Sequence, residues 1–190
     1  MSTDNAPPPP DAASLHQAAL SHLARYAATE AGLRRVLTRR LDRWARMQPD
    51  PDTATPAIAA ARDAIEGVIG RLVKAGAVSD TGFAEGRAKS LIRAGKSSRS
   101  VQARLIAKGV GTEIARAASA TDTETELAAA LVLARKRRIG PYRTDDDADA
   151  AVRMKEMGLM ARAGFSREIV EQALATSREE AESRIHELRR

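Results

Sequence analysis

The chain has 190 residues, 43% hydrophobic but only 3% aromatic, so it is long enough for one or two compact domains with a core of Ala, Leu, Val and Ile. A formal charge of +6 and a pI of about 10.1 favour polyanions and acidic protein surfaces as partners. The absence of Cys excludes disulfides, thiolate metal sites and Cys nucleophiles, and no apolar run nears the roughly 20 residues needed to cross a membrane.

In chain order, residues 1–11 carry four consecutive prolines and two acids. They read as a disordered tail, partly polyproline II, and lack the basic start and apolar stretch of a signal peptide, so the expected location is cytoplasmic. A first helix is predicted from Asp11 or Ser14 to about Ala27. Thr29 then caps a second, with Leu33, Leu37, Leu41 and Trp44 on one face. Gln48–Pro56 holds three prolines and reads as a loop. A third helix runs from about Ala57 to Lys74 and is closed by Gly76. Asp80 is the expected N-cap of a fourth, ending at Gly95. A fifth starts at Ser97 or Ser98 and ends at Gly109, and a short sixth covers Thr112–Ala118. A seventh spans about Thr123–Arg138, stopped by Gly140-Pro141. Asp145, Asp146, Asp147 and Asp149 suit the positive end of an eighth helix dipole. Ser166 caps a ninth, which is expected to continue to the C-terminus.

One pattern occurs three times. Arg25 precedes Thr29 by four positions, Arg93 precedes Ser97, and Arg162 precedes Ser166. Apolar residues follow each hydroxyl at +4 and +8: Leu33 and Leu37, Val101 and Leu105, Val170 and Leu174. The hydroxyls lie 68 and 69 residues apart, a period that points to an array of small helical units. In Gly95-Lys96-Ser97 and Gly164-Phe165-Ser166 a left-handed Gly closes one helix and Ser opens the next, a tight corner used twice. Ala27 replaces the Gly in the first copy. The predicted fold is all-α, about nine helices in three groups that follow the repeat: repeat 1 over 12–76, repeat 2 over 77–120 and repeat 3 over 121–190.

The search for chemistry yields no catalytic residue, cofactor site or metal site. Gly95-Lys96-Ser97 is not a phosphate loop, because Ser90 stands where the first glycine belongs and the lead-in is helical. His16, His22 and His186 have no ligand partner at i, i+4, and the acids at 145–149 lack the glycine and alternation of a calcium loop. Trp44 is assigned to the core, and so few aromatics argue against a stacking platform. The chain is therefore read as a binding protein and not an enzyme. Basic residues crowd three regions, and the candidate contacts of a basic track for polyanions are Arg35 and Arg39, then Arg87, Arg93, Lys96, Arg99, Arg104 and Lys108, then Arg137 and Arg138. The 25 Arg against 6 Lys have two readings, bidentate anion recognition or the codon bias of a GC-rich genome. Arg25, Arg93 and Arg162 are equivalent by the repeat and are favoured as structural.

Gly76-Ala77-Val78-Ser79-Asp80-Thr81-Gly82-Phe83-Ala84, with Val78-Ser79 in place of Leu-Asp, resembles the Gly-Tyr-Leu-Asp-Asp-x-x-Phe-Ala segment of the regulatory protein RecX family. Gly95-Lys96-Ser97, Leu105-x-x-Lys108-Gly109-Val110 and Arg162-Ala163-Gly164-Phe165-Ser166 are similar to further elements of that family, and the likeness spans about Leu15 to Leu174. The resemblance implies an all-α fold of three tandem three-helix repeats in an elongated, curved array. It also implies a regulator that binds the RecA recombinase filament on single-stranded DNA and inhibits its ATP hydrolysis, strand exchange and co-protease activity; nothing in the sequence demands a dimer, so a monomer is expected. Two other readings stay open: a helical module that recognises duplex DNA through its corner helices, and an adaptor with no nucleic-acid role.

Overall fold

The computed structural model describes residues 7–49, 51–144 and 149–190, with side chains for all of these except 51–53. Among them are ten α-helices, one 3-10 turn and no strand. The helices are α1 (Ala12–Leu23), α2 (Glu30–Ala45), α3 (Pro51–Lys74), α4 (Asp80–Arg93), α5 (Ser98–Ala107), α6 (Thr112–Ser119), α7 (Thr123–Arg137), α8 (Ala150–Arg162), α9 (Arg167–Ala175) and α10 (Arg178–Arg189). The 3-10 turn, Gly140–Tyr142, lies between α7 and α8. The fold is all-α, as expected, and its helix order is compatible with three tandem three-helix repeats.

Local chemistry sets most helix starts. The carboxylates of Asp11, Asp122 and Asp149 accept from the backbone N–H of Ser14, Thr125 and Val152, which fixes α1, α7 and α8. Those N–H donors hold the Asp11 and Asp122 carboxyls below the usual range. The proposed capping role of Asp145, Asp146 and Asp147 lies outside the described residues, as does Met1–Ala6 of the Pro-rich tail.

Three local expectations need correction. Helix α3 begins at Pro51, inside the expected loop. Pro51 takes the first helical position, where a missing N–H costs nothing, and the helix carries Pro56 within it. Ser79, not Asp80, caps α4, its Oγ accepting from Gly82 N–H at 3.1 Å. Asp80 reaches back instead and accepts from the N–H of Glu30 at 2.8 Å. The C-terminal segment is two helices, because Ser177 Oγ accepts from Glu180 N–H at 3.2 Å and starts α10.

The chain divides into two compact units, one made of residues up to Phe83 with Lys108–Val110, the other of Ala84–Ala107 and Gly111–Arg190. In the first unit α1 and α2 pack on α3. Leu33, Leu37, Leu41 and Trp44 of α2 meet Ala61, Ile65, Val68, Ile69 and Leu72 of α3. Full burial of each large side chain is worth about 1.5–3 kcal/mol, so this seam carries the unit. Trp44 is core, as expected, and its indole N–H donates to the carbonyl of Pro7 at 2.7 Å.

In the second unit α7 is the central post. Every residue from Leu127 to Ala134 is buried, and α9 and α10 pack against it. A helix apolar all round is a buried helix. Arg143 and the buried Glu156 pair at 2.5 Å and tie the exit of the 3-10 turn to α8. Burial pushes the Tyr142 phenol up to about 12, and Arg178 lies 5.7 Å from the centre of its ring.

Candidate functional site

The repeated hydroxyls explain how the corners hold their shape. Thr29 Oγ1 accepts from Gly32 N–H at 2.9 Å, capping α2, and donates to the carbonyl of Lys108 at 2.8 Å. Ser97 does the same in the second unit: Oγ accepts from Ser100 N–H at 3.2 Å and donates to the carbonyl of Ala163 at 2.7 Å. Both are buried, 2% and 0% exposed. Each receiving carbonyl stands just before a left-handed glycine, Gly109 at φ +92° and Gly164 at φ +97°. A carboxylate completes each corner: Asp80 on Glu30 N–H, and Glu126 on Ser98 N–H at 3.1 Å. The repeat in the sequence is therefore a repeat of turn-on-turn docking. The third hydroxyl, Ser166, caps α9 but is exposed.

These corners position the candidate cations. In the first unit Arg35 and Arg39 are exposed and one turn apart on α2. Arg35 Nη2 donates to the carbonyl of Lys108 at 3.0 Å, which brings Arg35 beside the exposed Lys108. In the second unit Arg87 and Arg93 are exposed on α4, Arg99 and Arg104 on α5, and Lys96 is half-buried in the corner between them. Arg104 Nε donates to Ser100 Oγ at 3.4 Å. Lys136 Nζ donates to the carbonyl of Ala94 at 2.8 Å. That contact ties the C-terminal end of α7, which carries the exposed Arg137 and precedes the exposed Arg138, to the corner between α4 and α5. Arg138 has φ +55° and closes α7.

Ion pairing separates two populations of arginine. Arg34, Arg116, Arg135, Arg143, Arg167 and Arg184 pair with Glu66, Glu113, Glu182, Glu156, Glu171 and Glu124. The hydrogen bond from Arg34 holds the Glu66 carboxyl below its ordinary value. None of the ten candidate cations pairs with a carboxylate among the described residues. A charge left unpaired on an exposed face remains available to an external anion. Arg25 and Arg93, favoured as structural by the sequence, are also exposed and without a carboxylate; Arg25 Nε donates only to the carbonyl of Ser21, at 3.3 Å.

The sequence reading missed a groove between α1 and α2. Arg25, Arg39, Arg40 and Arg43 line it with His22, Ser14 and Ser21, over a volume of about 740 Å³, and no carboxylate lines it among the described residues. Only Arg39 stood among the candidates. The signal was present as Arg39-Arg40-x-x-Arg43, which projects three guanidinium groups from one side of a helix. No cluster of three His, Cys, Asp or Glu residues able to hold a metal ion occurs among the described residues. Nor is any described helix long and apolar enough to cross a membrane.

Over 154 residues the chain is 37% identical to the regulatory protein RecX of Myxococcus xanthus (strain DK1622), which covers 80% of this chain and 79% of that one. The chain belongs to the RecX family. It is also 42% identical over 106 residues to the regulatory protein RecX of Agrobacterium fabrum (strain C58), spanning 56% of each chain. The RecX crystal structure from Lactobacillus salivarius matches with a TM-score of 0.64, covering 91% of this chain and 97% of that one. At 18% identity that likeness shows a shared fold. No family model matches the chain. The RecX resemblance read from Gly76–Ala84 and from the corner motifs is borne out.

Proposed function

We propose that this chain binds the RecA filament on single-stranded DNA and restrains it, inhibiting ATP hydrolysis, strand exchange and co-protease activity. It does so as a cytoplasmic monomer, without a cofactor and without chemistry of its own. Membership of a family of regulatory proteins supports the regulatory role. The observation that carries the reading is the unpaired state of the candidate cations in both units, beside arginines that are neutralised by their own glutamates. Contacts distributed over two units can build a firm grip on a repeating polymer from individually weak interactions.

The deciding experiment is RecA ATP hydrolysis on single-stranded DNA with this protein titrated in at substoichiometric amounts. Strong inhibition that added single strand does not relieve supports the filament reading. No effect from a folded, helical protein refutes it. Sequence-selective binding to duplex DNA with a steep salt dependence would then favour the duplex-binding module, and absence of any DNA affinity the adaptor.

A further inference from the structure

The α1–α2 groove of the first unit gathers its basic residues around a concave surface. Arg25 stands on one wall, and Arg39, Arg40 and Arg43 on the other. Val36 and Leu37 contribute apolar floor between the walls. Low-dielectric walls lined by one sign of charge focus the field and concentrate anions. Guanidinium groups suit phosphate oxygens through their planar fork of donors.

An exposed aromatic ring next to a lining residue is a second feature. His22 lines the groove, and its ring lies 5.4 Å, centre to centre, from that of Tyr26. Tyr26 is 59% exposed, although it belongs to a chain with very few aromatic side chains, nearly all of them buried or half-buried. An acidic peptide would use the arginines but gains nothing from an open aromatic face. A single strand of nucleic acid uses both, since its phosphates meet the cations and its unpaired bases can stack. A duplex keeps its bases stacked inside and cannot use the ring.

We propose that the α1–α2 groove is a binding site for single-stranded nucleic acid on the free protein, with phosphates along Arg39, Arg40 and Arg43 and a base against Tyr26. This goes beyond the filament reading, because it requires no recombinase. It gives the chain a direct hold on the strand independent of any filament contact.

The test is fluorescence anisotropy of a labelled 20-nucleotide oligo-dT with the full-length chain and no recombinase present. Wild type should bind, with an affinity that falls as salt rises. Replacing Arg40 and Arg43 together by Ala should flatten the slope of log K against log salt by about 1.4, the value for two lost phosphate contacts on a single strand. Tyr26→Ala should weaken binding about tenfold with the slope unchanged. The charge-matched pair Arg153→Ala and Lys155→Ala on α8, both exposed, should leave the slope and affinity near wild type. Helical circular dichroism and Trp44 emission check that each variant is folded. Any of four results overturns the site: no binding by wild type, equal losses from the groove and α8 pairs, equal affinity for duplex of the same length, or displacement by poly-glutamate with no Tyr26 effect. RecA ATPase inhibition by the same wild-type protein is read separately, so either conclusion can fail while the other stands.

Discussion

The turn-on-turn contact between Ser97 and Gly164 makes a quantitative prediction about coupling. Ser97→Ala removes an N-cap, worth about 1 kcal/mol, and strips the Ala163 carbonyl of its buried donor, for about 1–3 kcal/mol more. A total near 2.5 kcal/mol follows from those two losses. Gly164→Ala acts on the same contact from the other side. Its φ of +97° costs an L-residue about 1–2 kcal/mol. Its new methyl carbon would stand 2.6 Å from Ser97 Oγ, so the hydroxyl must leave and both of its hydrogen bonds go with it. The single glycine change should therefore cost about 4 kcal/mol. In the double variant the hydroxyl is already gone, so its loss is counted once. The pair should then cost about 2.5 kcal/mol less than the sum of the single changes, well above the roughly 0.5 kcal/mol scatter of independent sites. Urea unfolding of the four proteins, followed by circular dichroism, measures the cycle. Additive costs would show that the hydroxyl does not hold the Gly164 turn and would refute the account of the corners.

Other outcomes follow from the same structure. Gly109→Ala places a methyl carbon 2.4 Å from that of Ala31 on a left-handed backbone and should cost about 3 kcal/mol or more, whereas Gly70→Ala, helical with nothing within 4 Å, should stabilise by about 0.5–1 kcal/mol. In denaturant unfolding, a loss of stability in Gly70→Ala would refute the helix argument and a gain in Gly109→Ala the turn argument. Replacing Arg93 and Arg104 by Glu should weaken inhibition of RecA ATP hydrolysis at least tenfold while leaving helicity intact, and unchanged inhibition would remove the central patch from the proposed contact surface. The Glu66 carboxyl is depressed in the folded state by Arg34, so its contribution is present above the ordinary glutamate range and disappears as pH falls through the lowered value. The stability gap between wild type and Glu66→Gln should thus shrink to nothing in acid; a constant gap from pH 7 to about 3 would show that the ion pair is not its source.

The helices were legible wherever periodicity and capping agreed. The Leu33, Leu37, Leu41 and Trp44 stripe is local information, and so are the glycine corners, where Gly95 and Gly164 do take φ +81° and +97°. Helix α3 was read too short because prolines at 51 and 56 signal a loop, and only the buried stripe further along the helix outweighs them. The break at Ser177 was missed because Val170, Leu174, Ala181, Ile185 and Leu188 keep one helical spacing across it, and only the Ser177 cap marks the new start. The candidate cations could be named from crowding alone, but not which arginines would be neutralised. Arg34 and Arg35 are neighbours in sequence, yet one meets Glu66 and the other does not. The groove needed two helices to be set side by side, and no single stretch of sequence carries that.

The hydrogen bond from Trp44 to Pro7 has a practical consequence. This is the chain's one tryptophan, buried in the first unit and tied to the segment before α1. Its emission is therefore a built-in, label-free reporter of one unit, while the second unit is spectroscopically silent in that channel. Melting curves recorded by emission and by total helicity will superimpose if the two units lose structure as a single cooperative block, and will separate if they do not. That comparison tells whether a substitution that destabilises one unit also lowers the melting point of the other.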